Sequence, residues 1–353
     1  MTSSTSTPLT VVLATPLDPD LRHLITDVDQ RVQLLADDDL LPPQRYPGDH
    51  AGDPGYQRTP EQSEAFAALL RRADVLYGIP DVDPKLLAET IAANPELRWV
   101  QTMAAGGGAS VKEARLSKTE LDRVQFTTSA GVHGGTLAEF ALFGVLAGAK
   151  DLPRLRQLQA GHSWADRWAM KQVREQTVLV VGLGGIGAET ARLLTGIGAT
   201  VLGINRTGRP VEFVDEVHPV SALPNLVHRA DAIVFTLPGT ESTTGLYDAE
   251  LIAATKPGAV IVNVGRGAVI DEPALIAALA DGHLGSAYLD VVAVEPLAAD
   301  SLLWDLPNVV LAPHTAALND AEDRRIAELF AGNLRLFLDG EVLNNVVDHT
   351  EFY

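Results

Sequence analysis

The chain has 353 residues, 46% of them hydrophobic, which is enough apolar material for a full core and more length than one domain ordinarily uses. Its formal net charge of -19 repels the phosphate backbone of nucleic acids and an anionic bilayer surface, so neither is an expected partner, and an anionic substrate needs a local cluster of cations. The absence of cysteine excludes disulfides, thiolate nucleophiles and Cys-ligated metal centres, and the nine histidines show no HExxH-type spacing, so the expected site holds no metal.

Residues 1–8 form a Ser/Thr-rich tail with neither the basic n-region nor the apolar h-region of an export signal. No later apolar run is long enough to span a bilayer, which predicts a cytoplasmic protein without a membrane segment. Residues 10 to about 129 read as a first, less regular α/β unit. Its strands are expected at 10–14, 75–78 and 99–102, with a long surface loop rich in Pro, Gly and Asp at 40–60. From residue 177 onward, aliphatic runs at 177–181, 200–205, 232–236, 259–264, 286–289 and 309–312 alternate with longer helical stretches. That is the pattern of a six-stranded, doubly wound parallel sheet. The stretch 186–194 is amphipathic, and a helix at 272–280 follows Asp271, a suitable N-cap. Beyond the sixth strand, Ile326, Leu329, Phe330, Leu334 and Phe337 share one helical face. Return of that helix to the N-terminal unit makes the domains discontinuous: residues 1–130 with 319–353, and residues 131–318, with crossings near 129–139 and 316–320.

Between the first strand of the regular block and its helix, Gly182, Gly184 and Gly187 stand in GxGxxG spacing, with Gly185 and Ile186 completing the loop. Alone, such a motif is equally a glycine-rich turn; between a strand and a helix it is a dinucleotide fingerprint. Gly182 permits the tight turn, Gly184 lets backbone approach a pyrophosphate, and Gly187 lets the helix pack on the sheet, with the phosphates at the helix N-terminus. The second strand of this block ends at Asn205 where an acidic residue ordinarily receives the ribose of NAD, and Arg206, Thr207 and Arg209 follow. A carboxylate repels a 2′-phosphate, whereas two guanidinium groups with a hydroxyl and an amide can hold one, so NADP(H) is expected in preference to NAD(H).

Ligands of an open doubly wound sheet lie beyond the carboxyl ends of its strands. Arg266 follows the fourth strand, Asp290 and Glu295 the fifth, and His314 the sixth. Taken singly, each has a duller reading as a loop cation, a surface turn or a satisfied histidine. Together they match what reduction of a 2-oxo acid requires. Arg266 supplies a cation for the substrate carboxylate and carbonyl, His314 a proton donor titrating near neutrality, and Glu295 a partner for the other ring nitrogen. Asp290 is expected to orient the nicotinamide carboxamide.

These residues carry a resemblance. The chain resembles the D-isomer-specific 2-hydroxyacid dehydrogenase family, glyoxylate and hydroxypyruvate reductases among them, from about residue 98 to 347. The resemblance rests on the Gly182 to Gly187 loop, Leu237-Pro238 with Thr243-Thr-Gly-Leu246, the segment Asn263 to Asp271 that includes Val264, Asp290 to Pro296, and Pro313-His314. It implies Arg266, Glu295 and His314 as the catalytic set, and Leu237, Pro238, Val264 and Asp290 among the cofactor contacts. It also implies a Rossmann nucleotide-binding domain beside a discontinuous flavodoxin-like substrate domain, and a homodimer. Formate oxidation is disfavoured because Glu295 stands where formate dehydrogenases carry glutamine.

One departure lies near the substrate. The family ordinarily has Ala-Gly-Val-Asp in the loop whose backbone N–H groups receive the substrate carboxylate, and here the run is Ala105-Gly106-Gly107-Gly108. The donors at Ala105, Gly106 and Gly107 need no side chain, but the missing valine and aspartate bear on loop rigidity and substrate size. The alternative function is a dinucleotide-sensing, co-repressor-like binding protein with little turnover, since relatives of this fold take that role with the catalytic set intact.

Overall fold

A computed structural model of the chain describes residues 8–350 and Phe352, so the Ser/Thr-rich tail, apart from Pro8, lies outside the described residues. The chain divides into two compact units: one runs up to His133 and resumes at Leu318, and the other is Gly134–Ala317.

The first unit is built on a five-stranded parallel sheet of β1 (Leu9–Leu13), β2 (Val32–Leu35), β3 (Val75–Tyr77), β4 (Trp99–Gln101) and β5 (Gln125–Thr127), in the order β2-β1-β3-β4-β5. The three strands read from the sequence form, each beginning or ending a residue away from the expected position. The two unforeseen strands, β2 and β5, are the edges. An edge strand can be short, and neither of these carries a long aliphatic run; the outer side of β5 takes a bridge from Thr127 to Val346 and the Val347 N–H on the Phe126 carbonyl. The last helix, Glu322–Asp339, buries Ile326, Phe330 and Leu334 in this unit's core. The Phe330 ring stacks on Trp99 at 4.8 Å and meets Tyr77 edge-on at 5.1 Å. Full burial of one such ring contributes on the order of 2 kcal/mol.

The first turn of that helix carries two buried carboxylates, Glu322 and Asp323, where the helix dipole favours negative charge. His133 Nε2 lies 2.9 Å from Glu322 Oε1, and the Gly48 N–H and the Gln44 side-chain amide donate to Asp323 Oδ1 at 3.3 and 3.4 Å. The loop at 40–60, expected at the surface, therefore turns inward in part. Asp49, held by Arg45, is buried, and the His50 ring comes within 4.0 Å of Glu322. Burial holds the His50 imidazole below its ordinary value of 6.5, against the pull of Asp323, Glu322 and Asp49 and with a push from His133. Burial likewise pushes the Tyr77 phenol up. A histidine whose folded value is depressed binds fewer protons in the folded than in the unfolded state. Stability is therefore complete above about pH 6.5 and falls as pH drops through that value toward the folded one. Melting temperatures at pH 7.5 and 5.5 are expected to differ less in His50→Gln than in the wild type; an equal drop in both assigns the acid sensitivity elsewhere.

The second unit is a seven-stranded parallel sheet: β6 (Thr177–Val181), β7 (Thr200–Asn205), β8 (Glu216–Pro219), β9 (Ala232–Phe235), β10 (Ala259–Asn263), β11 (Leu284–Leu289) and β12 (Val309–Leu311), in the order β12-β11-β10-β9-β6-β7-β8. The chain winds outward from β6 in one direction and returns to its other side at β9. The two windings part there, the topological switch point of a doubly wound fold. Six strands were expected and seven form. The extra one, Glu216-Val-His-Pro219, is a polar edge strand paired only with β7, and its composition gives no strand signal. Helix Gly134–Ala149 packs on the sheet through Gly144 and Gly148, where an added Cβ would lie 2.7 Å from Val262 and 2.4 Å from Val260. Among the described residues no helix is long and apolar enough to cross a membrane.

Candidate active site

In the second unit, the loop after β6 shows why glycine stands at two of its positions. Gly182 has φ +104°, and its carbonyl receives the Thr236 hydroxyl at 2.6 Å. A Cβ on Gly187 would lie 1.8 Å from that same carbonyl, so the first turn of helix Gly185–Gly196 can pack on the strand only without one. A side chain at Gly184 or Gly185 would meet nothing within 4 Å, which leaves open space over the helix N-terminus. Ile186 belongs to the first turn, and its carbonyl accepts from Thr190.

At the end of β7, Asn205 folds the loop that follows. Its Oδ1 accepts from the N–H groups of Thr207 and Gly208 at 3.0 and 2.6 Å, and its amide donates to the Arg209 carbonyl at 2.8 Å. The Asn205 amide, expected to face a 2′-phosphate, is thus engaged within the turn. The Thr207 hydroxyl also donates to Asn205 Oδ1, at 3.4 Å.

The loops after β9, β10 and β11 are pressed together by glycines. A Cβ on Gly265 would lie 2.6 Å from the Leu237 carbonyl, and one on Gly267 would lie 1.9 Å from the Val292 carbonyl. Arg266, between them, is bracketed by its two neighbours. Its Nη1 donates to the Gly265 carbonyl at 2.7 Å, and its own carbonyl accepts from Asn263 Nδ2 at 3.1 Å. Val264 is buried with its N–H on Phe235, and the Pro238 carbonyl accepts from Thr243.

Asp290 directly follows β11 and organises the loop after β12. Its main-chain carbonyl receives the His314 N–H, and its Oδ1 receives the N–H groups of Thr315 and Ala316, each at 2.9 Å. These bonds hold His314 at φ +53°, a left-handed conformation that a β-substituted residue keeps only when its surroundings impose it. Burial pushes the Asp290 carboxyl up from its ordinary value, while the two N–H groups pull it down. Its Oδ2 is buried without a partner among the described residues. His314 Nδ1 lies 2.7 Å from Glu295 Oε2, and Glu295 Oε1 accepts from the Val292 N–H at 3.2 Å. A carboxylate only accepts, so Nδ1 carries the proton of this bond and Nε2 faces away from it.

In the first unit, the turn after β4 contains Ala105, Gly106 and Gly107. The Gly107 N–H donates to the Ala104 carbonyl at 3.2 Å, which removes it from the three donors expected of this run. Ala105 and Gly106 are exposed and donate to no other described residue. Thr102, Thr236 and Asn263 shape these loops without a signal in the sequence, because a threonine or asparagine beside a strand end has no pattern of its own. Among the described residues no cluster of three or more His, Asp or Glu is arranged to hold a metal ion.

Residues 142–316 match the description of the D-isomer specific 2-hydroxyacid dehydrogenase NAD binding domain. A glyoxylate reductase of Korarchaeum cryptofilum is 34% identical over 298 residues, covering 82% of this chain and 87% of that protein. The chain belongs to the D-isomer specific 2-hydroxyacid dehydrogenase family. Membership makes it an oxidoreductase, with a nicotinamide cofactor and small 2-hydroxy or 2-oxo acid substrates. The D-3-phosphoglycerate dehydrogenase of Mycobacterium tuberculosis strain ATCC 25618 is also 34% identical, over 286 residues; the match covers 78% of this chain but only 53%, about half, of that longer protein. Among solved structures, a family member from Xanthobacter autotrophicus in complex with NADPH and MES superposes with a TM-score of 0.76 at 30% identity, covering 99% of this chain and 100% of that one.

Proposed function

We propose that this enzyme reduces a small 2-oxo acid such as glyoxylate or hydroxypyruvate, with NADP(H) preferred to NAD(H). The observation that carries the reading is the 2.7 Å pair of His314 and Glu295 in the same unit as the glycine loop, beyond the carboxyl ends of one sheet. The residues present fit a nicotinamide dinucleotide. Gly184 and Gly185 leave the helix N-terminus open to a pyrophosphate, and Asp290 Oδ2 is a buried acceptor of the kind a carboxamide N–H satisfies.

When bound, the cofactor supplies the hydride that the substrate C2 receives. The chain supplies the rest. Arg266 draws electron density toward the carbonyl oxygen and pairs with the carboxylate. His314 donates its Nε2 proton to the carbonyl oxygen as C2 is reduced, and is left neutral until solvent returns the proton. Glu295, on Nδ1, fixes the plane of the ring. In the first unit, taken by itself, the exposed N–H groups of Ala105 and Gly106 are suited to receive a carboxylate.

The NADP(H) preference rests on Arg206, Thr207 and Arg209 and on the absence of a carboxylate at Asn205. One assay tests both halves of the proposal: oxidation of NADPH and NADH, in parallel, over a panel of 2-oxo acids. Turnover with glyoxylate or hydroxypyruvate and a higher kcat/KM for NADPH are expected. Tight NADPH binding with no turnover across the panel would instead assign the protein a dinucleotide-sensing role. In the double variant Arg206→Ala/Arg209→Ala, loss of charge-assisted bonds raises the KM for NADPH roughly tenfold or more and leaves that for NADH little changed. An equal loss for both cofactors removes these arginines from the 2′-phosphate.

A further inference from the structure

The turn that offers Ala105 and Gly106 is held from beneath by one buried side chain together with two backbone N–H groups. The Ala104 carbonyl accepts from three donors: the Thr102 hydroxyl at 3.3 Å, the Gly107 N–H at 3.2 Å and the Ser129 N–H at 3.3 Å. In a planar trans peptide the C=O and N–H point in opposite directions. Holding the Ala104 carbonyl inward therefore turns the Ala105 N–H outward. Thr102 is buried and has little freedom. The Ser129 hydroxyl and the Gln101 amide donate to its carbonyl at 3.0 and 3.2 Å, and Gln101 is bonded in turn to Thr127, on which Trp99 closes.

Gly107 completes the arrangement. Its φ of −61° and ψ of −16° suit any residue, so backbone freedom does not explain a glycine there. Space does. A Cβ at 107 would lie 1.8 Å from Thr102 Oγ1 and 2.5 Å from Thr102 Cβ. Rotation of the threonine relieves the first clash but not the second, because its Cβ moves only with the backbone.

We propose that Thr102 is a positioning residue for the substrate carboxylate. It occupies the volume of a side chain at 107 and holds the Ala104 carbonyl so that the Ala105 N–H faces the anion. This makes the glycine at 107 a consequence of the threonine beneath it, and it rests on the reading that the Ala105 and Gly106 N–H groups receive the substrate carboxylate.

The test compares Thr102→Val, which keeps the shape and removes the hydroxyl, with Thr102→Ser, which restores it. Losing one buried hydrogen bond raises the KM for glyoxylate about three- to tenfold in the valine variant, with kcat and the KM for NADPH unchanged, and the serine variant recovers the wild-type KM. An unchanged KM in Thr102→Val overturns the proposal. So does a joint change in kcat and both KM values, which marks a merely structural threonine. A second readout needs no turnover: titration with oxalate, followed by the amide resonances of Ala105 and Gly106. Those resonances are expected to shift in the wild type and Thr102→Ser, and to need roughly three to ten times more oxalate in Thr102→Val. Wild type that binds oxalate at Ala105 yet turns over no 2-oxo acid overturns the enzymatic reading alone. Turnover without any shift at Ala105 overturns the present one alone.

Discussion

His314→Ala is expected to lower kcat for 2-oxo acid reduction about 10²- to 10⁴-fold, the range ordinarily lost with a positioned proton donor, while the KM for NADPH changes little. The ring stands beyond the carboxyl ends of the sheet's strands, and an imidazole suits protonation of a developing alkoxide near neutral pH. Its Nδ1 is taken by Glu295 at 2.7 Å, and its backbone is held by Asp290. Glu295→Gln separates orientation from charge. The amide oxygen can still accept from Nδ1, but the charge beside the ring is gone. Reduction by Glu295→Gln is expected to be slower than by the wild type and faster than by His314→Ala. Values of kcat for the three proteins under one set of conditions check this. An alanine variant with full activity removes His314 from the chemistry, and a glutamine variant as fast as the wild type leaves the carboxylate a purely orienting group.

What the sequence made legible was what repeats or converges. Aliphatic runs buried on both faces, such as Val178, Leu179, Val180 and Val181, announce central parallel strands, and glycines spaced around a strand end announce the turn after it. Of the edge strands, β2 and β8 were silent because each pairs on one side only and is partly exposed, and β5 because three residues are too few to show a pattern. The same limit applied around the candidate site. Arg266, Glu295 and His314 stand out as chemistry-bearing types at strand ends. That Asp290 bonds three successive residues of the His314 loop is visible only once β11 and β12 are side by side. Asn205 was read as a cofactor contact, yet its side chain closes on its own loop, because an asparagine two residues before a free N–H readily forms that turn. The inward bend at His50 depends on the carboxylates of Glu322 and Asp323, some 270 residues away in sequence, and no local pattern could signal it.

Arg266→Ala should cost about 10²- to 10³-fold in kcat/KM for the 2-oxo acid, the loss that follows removal of one preorganised group stabilising a developing oxyanion. The preorganisation is visible. Nη1 is anchored to the Gly265 carbonyl at 2.7 Å, the backbone is anchored by Asn263, and a Cβ on Gly239 would come within 3.2 Å of the arginine Cγ, so the stem lies along a glycine that leaves it room. The guanidinium is therefore tethered at one nitrogen, and its other N–H groups have no partner among the described residues. Arg266→Lys distinguishes charge from geometry. A lysine restores the cation but cannot bond Gly265 and present two parallel donors to a carboxylate at once, so it should recover only part of the loss. Because the contact strengthens as charge builds on the carbonyl oxygen, kcat should fall along with kcat/KM rather than KM alone rising. Steady-state rates for wild type, lysine and alanine with the same 2-oxo acid give the answer: full recovery by lysine would reduce Arg266 to a point charge, and a pure KM effect would make it a binding group for the ground state.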